Sequence, residues 1–300
     1  MPNHHLELIW NSSRKGRPAM FDTPNPDVGH LLAITGNMMS GKTEELIARI
    51  RTFERVEAIR VQAAKREGTL YQGRKVGVYK HGLDTRYSDT QIASHNGQRM
   101  QAILVESAQA LYQDVITNGY GIVACDEVQF FMEKDDDGYV IIKVLAELLR
   151  QRCLVIVSGL DKDFRGMPFG PMGDILALAD ERVSLTSTCV RCGAPAVLPQ
   201  RLINGRPADW NDPIVFPGAT EAYEPRCRRC HVTFYSKSSE FAAANNADAA
   251  YAVDTQREAC TPDKRTAVEK PGSFAGVMYE SVQSMESLAL AKAEAAAGDK

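Results

Sequence analysis

Residues 36–43 read Gly-Asn-Met-Met-Ser-Gly-Lys-Thr and lie between two segments of opposite periodicity. Before them runs Leu31-Leu32-Ala33-Ile34-Thr35, short and apolar enough for a buried strand. After them, Leu46, Ile47 and Ile50 share one helical face. A strand, a glycine-bounded turn and a helix in this order fit the phosphate-binding pattern G-x-x-x-x-G-K-[ST]. Gly36 and Gly41 let the backbone turn so that the amides of Asn37, Met38, Met39 and Ser40 face phosphate oxygens. The helix presents its positive end to the same anion. Lys42 adds a mobile charge near the β- and γ-phosphates, and Thr43 offers a hydroxyl to Mg²⁺. The expected ligand is ATP with Mg²⁺.

The rest of the first half repeats the alternation. Val76–Lys80, Gly121–Asp126 and Leu154–Ser158 read as strands, and residues 100–117 and 140–152 as helices. The charged stretch 57–75 is an extension of the first helix or a loop. Such alternation predicts an α/β fold, a P-loop NTPase-like parallel sheet covered by helices, with ligands at the carboxyl ends of its strands. Asp126-Glu127 stands at one such end. Asp126 continues the strand and is the candidate to hold Mg²⁺, which leaves Glu127 as a base. The run Asp126-Glu127-Val128-Gln129 is assigned to the nucleotide site.

After about residue 188 prolines, cysteines and turns dominate. Four of the seven cysteines form two knuckles, Cys189-x-x-Cys192 and Cys227-x-x-Cys230, with 34 residues between them. Four thiolates so paired predict a closed tetrahedral Zn²⁺ site with a folding role and no catalysis, in a small zinc-ribbon-like domain. His231 adjoins the last cysteine as a bystander. The expected division is 1–29 as a loose extension, 30–187 as the P-loop α/β domain, 188–237 as the zinc domain and 238–300 as a tail, disordered or partly helical.

A net charge of −3 argues against a wholly basic nucleic-acid binder, and no apolar run suits a membrane span. The first 29 residues lack a signal-peptide core, so the expectation is cytoplasmic. A strand-stimulated ATPase gripping nucleic acid through Arg226, Arg228, Arg229 and His231 is the main rival, and a non-catalytic nucleotide sensor the second.

Five markers now stand in order: the phosphate loop, Asp84-Thr-Arg86-Tyr87, Asp126-Glu-Val-Gln-Phe-Phe131, Gly159-Leu-Asp-Lys-Asp-Phe-Arg-Gly-Met-Pro-Phe-Gly170 and the two knuckles. With them the chain resembles the thymidine kinases of the zinc-containing type, over about residues 29–237. The resemblance implies ATP-dependent phosphorylation of the thymidine 5′-hydroxyl in nucleotide salvage for DNA synthesis, with Glu127 as general base. It places Met38, Phe130, Leu160, Phe164 and Phe169 around the nucleoside, and residues 161–173 in a lid. Phe216, Gly218 and Tyr223 fall in the long loop between the knuckles, which in the family covers the thymine. Asp84, Arg86 and Arg165 are candidates for phosphate charge or lid closure. A homotetramer and feedback inhibition by thymidine triphosphate are further implications. The chain departs from the family at Asn37 and Met39, where proline and phenylalanine are frequent, at Pro199, where threonine is common, and in the longer stretch 57–75.

Overall fold

The computed structural model describes residues 25, 27–83, 91–93, 97–215 and 221–234. Asp84, Arg86, Phe216, Gly218, the N-terminal extension and the tail lie outside the described residues.

The elements follow in the order β1 (His30–Gly36), α1 (Lys42–Glu67), β2 (Lys75–His81), β3 (Ile103–Val105), α2 (Ala108–Asn118), β4 (Tyr120–Asp126), α3 (Val140–Arg150), β5 (Leu154–Gly159), α4 (Met172–Leu178) and β6 (Glu181–Leu185). They build a six-stranded sheet ordered β6-β1-β5-β4-β2-β3, parallel throughout. The central strands are apolar on both faces because both faces are covered. Leu31, Ala33, Val155 and Val157 pack with Leu111 and Val115 of α2, Leu145 and Leu148 of α3 and Ile175 of α4. The alternate residues Leu32, Ile34, Leu154 and Ile156 pack with Leu46, Ile47, Ile50 and Phe53 of α1.

Residues 57–67 continue α1 to Glu67, and Gly68 in the left-handed region ends it. The buried Glu57 holds the return segment: its carboxylate accepts from the Tyr71 hydroxyl, and from the Arg74 amide at 3.0 Å and the Arg74 guanidinium at 3.0 Å. The helix expected over 100–117 is corrected to Ala108–Asn118. Ser107 sets its start, with the Oγ accepting from the Ala110 amide at 3.1 Å. The residues before it are extended. Arg99–Gln101 pairs with Gln91–Ala93 in a hairpin, and Ile103 and Val105 turn inward while Leu104 between them is exposed, a two-residue period. The edge strand β6 was not expected from the sequence either, since polar residues separate its inward Val183 and Leu185.

Beyond β6 come β7 (Ser187–Thr188), β8 (Pro195–Ala196), β9 (Leu198–Ile203), β10 (Arg206–Pro207) and β11 (Glu221–Arg226). β7 and β8 form a hairpin that carries the first knuckle, and β11 pairs antiparallel with β9 and leads into the second. The 34 residues between the knuckles are therefore occupied by β8, β9, β10 and the return to β11.

Candidate active site

The carboxyl ends of β1, β5 and β4 converge. Gly41, with φ 87° at the start of α1, takes a conformation that a side chain would resist, and it turns the loop back over the helix N-terminus. Lys42 is buried, and its Nζ donates to the Asn37 carbonyl at 3.0 Å. Met38 is half-buried, and its amide donates to Asn37 Oδ1 at 2.8 Å, while Met39 is exposed. Two hydroxyls at the site, Thr35 Oγ1 and Ser40 Oγ, are buried without a protein partner. Unsatisfied donors beside loop amides and a lysine are what a phosphate chain would complete.

β5 lies between β1 and β4 and supplies a residue that sequence reasoning missed. The Ser158 hydroxyl donates to Asp126 Oδ1, which also accepts from the Glu127 amide at 3.0 Å. Asp126 Oδ2 accepts from Thr43 Oγ1 at 3.0 Å. Carboxylate and hydroxyl thus meet as an oxygen pair of the kind that suits Mg²⁺. Burial first, then the charge of Glu127, pushes the Asp126 pKa up to about 6, against the opposing pull of Ser158, Thr43 and Lys42. A serine ending the apolar run Leu-Val-Ile-Val is the only signal that could have found Ser158.

Glu127 is buried and held at φ 51°, ψ 44°, an unusual conformation for a side-chain-bearing residue. Gln129 donates from Nε2 to Glu127 Oε2 and accepts at Oε1 from the Leu160 amide at 3.1 Å. The amide side chain therefore faces Glu127 and β5, and Val128 is packed into the core between sheet and helices. A Cβ at Gly159 would stand 2.5 Å from Gln129 Oε1, so any side chain there would displace the Gln129 amide from Glu127.

Phe130 meets Phe169 edge to face at 6.0 Å between ring centres, and the Leu160 amide is bonded to the Gln129 side chain. His81 sits 6.5 Å from Phe130, and burial lowers its pKa. The segment 161–173 is a tight turn closed by Asp163, whose Oδ1 accepts from the amides of Arg165 and Met167 at 2.9 and 3.0 Å. Arg165 pairs with Asp163 at 2.7 Å and lies over Trp210 at 5.4 Å, so its guanidinium is engaged within the turn. Phe164 is buried beneath Arg201, whose guanidinium lies 4.2 Å from the ring. Arg201 is 1% exposed and donates to the Pro213 carbonyl at 2.6 Å; nothing in Leu-Pro-Gln-Arg-Leu-Ile announces a buried arginine. Tyr223 on β11 pairs in register with Arg201.

The four knuckle sulfurs lie within 4.8 Å of one another, with Cys192 Sγ 3.5 Å from Cys227 Sγ. Zn–S bonds of about 2.3 Å require sulfurs roughly 3.8 Å apart, so the donor set fits tetrahedral Zn²⁺. The Ala194 amide first, and the neighbouring thiols, bring the Cys192 pKa down to about 7, which favours a thiolate ligand. Of the basic residues around the second knuckle, Arg226 is buried against Glu224, leaving Arg228 and Arg229 exposed. His231 turns inward, its ring nitrogen 2.9 Å from the Phe164 carbonyl. Among the described residues no helix is long and apolar enough to cross a membrane.

A family model described as thymidine kinase matches residues 29–231. Among solved structures, the genome packaging NTPase B204 from Sulfolobus turreted icosahedral virus 2 in complex with ATP-gammaS is similar at 14% identity and a TM-score of 0.31, over 54% of this chain and 75% of that one. The ATPase DotB of Legionella pneumophila is similar at 12% identity and a TM-score of 0.27, over 79% of this chain and 58% of that one. These distant likenesses carry no argument about activity, which rests on the family match.

Proposed function

The chain belongs to the thymidine kinase family, and from that premise we propose how its residues divide the work of phosphorylating thymidine with ATP. The phosphate-loop amides, Lys42 and the buried hydroxyl of Ser40 hold the phosphates. Thr43 and Asp126 would hold Mg²⁺, whose contribution is to neutralise charge on the transferring group. The nucleoside lies between the Phe130–Phe169 pair, Leu160, Met38 and Phe164, under the loop that Tyr223 borders.

Glu127 takes the proton from the 5′-hydroxyl as that oxygen attacks the γ-phosphorus and the bond to the β–γ bridging oxygen breaks. Gln129 restrains the Glu127 carboxylate, and the turn of 161–173 keeps water from competing. The Cys189, Cys192, Cys227 and Cys230 site would hold structural Zn²⁺. We assign the chain a place in nucleotide salvage in the cytoplasm, as a homotetramer inhibited by thymidine triphosphate. Domains at 30–187 and 188–237 carry the donor site and the nucleoside cover respectively.

The observation that carries this reading is the buried, conformationally fixed Glu127 beside the Asp126–Thr43 pair. Glu127→Gln should lower kcat by roughly 10²–10⁴ fold, with ATP affinity unchanged. Nucleoside monophosphate formation at the parental rate would remove the base assignment.

A further inference from the structure

Two departures from the family pattern, Asn37 and Pro199, come together in space. Asn37 is 2% exposed, and its Nδ2 donates to the Leu198 carbonyl at 2.8 Å, which ties the phosphate loop to the first residue of β9. A proline at position 37 would have no such donor. The next carbonyl along β9, that of Pro199, faces the ring of His231, whose Nε2 is 2.9 Å from the Phe164 carbonyl. A carbonyl only accepts and a neutral imidazole carries one N–H, so the 2.9 Å contact assigns that proton to Nε2, which donates to Phe164. His231 is 8% exposed and follows Cys230 directly, and the second knuckle fixes its backbone, the His231 amide donating to the Cys227 carbonyl at 2.9 Å. Gln200 fastens the same place, exchanging bonds with the Val232 amide at 2.7 Å and the Val232 carbonyl at 3.1 Å. The start of β9 therefore touches the phosphate loop on one side and the knuckle on the other, and the knuckle touches Phe164.

We propose that Asn37 and His231 are positioning residues that join the phosphate loop and the nucleoside-side Phe164 into one frame through Leu198 and Pro199, with His231 setting the nucleoside affinity without serving as a zinc ligand. The proposal rests on the thymidine kinase reading of the site. Phe164 is gripped at two points, its carbonyl by His231 and its ring by Arg201. Releasing the carbonyl frees the peptide that aims the ring, while the phosphate loop and Glu127 stay in place.

The test uses the full chain with His231→Ala, His231→Gln, Asn37→Ala and the double variant Asn37→Ala/His231→Ala. Zinc content, Tm, kcat and the KM for thymidine and for ATP are measured on each. His231→Ala should keep one zinc per chain and raise the thymidine KM about tenfold, the equivalent of roughly 1.4 kcal/mol, with the ATP KM within about twofold. His231→Gln, which still offers an N–H donor, should recover the parental thymidine KM. The effects of Asn37→Ala and His231→Ala should combine to less than their product, because each breaks the same frame. An unmoved thymidine KM, independent effects in the cycle, or zinc falling below one per chain in His231→Ala would each overturn the proposal. Should His231→Ala not fold, His231→Gln and Asn37→Ala decide alone: His231→Gln must match the parent, and Asn37→Ala must raise the thymidine KM. A parental enzyme that makes no thymidine monophosphate would instead defeat the underlying reading.

Discussion

Asp126 is the residue in which position, charge and chemistry are most tightly bound together. Its pKa near 6 lies above the ordinary 3.8, so the folded protein without metal gains from a protonated Asp126 below pH 3.8 and loses that gain as pH rises through 6. Metal must bind the carboxylate form. The Tm increment that Mg²⁺ adds in the presence of ADP should therefore shrink as pH falls from about 7.5 to about 5.5. An increment that ignores pH would place the metal elsewhere. Ser158→Ala removes a bond that holds the Asp126 pKa down, so the acid limb of the kcat profile should move to higher pH, by up to about one unit. At this scale the motifs singled out Lys42, Thr43, Asp126 and the cysteines as candidates, and the fold brings Thr43 to Asp126 and the four sulfurs together. The sequence was silent on Ser158, Arg201 and the inward turn of His231, whose importance comes from neighbours far away in the chain.

Among the elements, α1 shows what a stretch of charged sequence can conceal. Residues 57–75 read equally as helix or loop, because the deciding contact is non-local: Glu57 on the helix collects Arg60, Tyr71 and Arg74. Burial pushes the Glu57 pKa up, but the Tyr71 hydroxyl and the Arg74 amide and guanidinium outweigh it and hold it below 4.5. Its stabilising contribution is thus complete above pH 4.5 and fades as pH falls through the lower folded value. Glu57→Ala should cost roughly 3 kcal/mol in urea unfolding at pH 7, since Arg74 keeps its burial and loses its partner. The difference between variant and parent should narrow toward pH 3.5. Equal stabilities at pH 7 would show that the return segment holds without this carboxylate. Strands β1, β4 and β5 were legible because each carries an uninterrupted apolar run of four or more residues, Leu31–Ile34, Ile122–Cys125 and Leu154–Val157. β3 and β6 were not: β3 is three apolar residues that merge with the start of a helix, and in β6 polar residues separate Val183 from Leu185.

For the molecule as a whole, the zinc knuckles close a module that has little apolar core of its own beyond the cysteines, Ala194 and Ala196. Stripping zinc with a strong chelator should abolish thymidine phosphorylation and open residues 187–234 to protease before the sheet is cut. Cleavage starting in α2 or α3 would contradict that order. The parallel sheet has a further consequence, in time rather than in space. β1 is an interior strand, yet its partners arrive late: His30 pairs with Leu154, and Gly36 with Leu185. At a synthesis rate of about 5–20 residues per second, the strand that leads into the phosphate loop waits roughly 7–30 s for its second neighbour to be made. The phosphate-loop residues are thus made well before either strand that encloses β1, so this buried strand awaits both sides of its sheet while the intervening elements are still being synthesised.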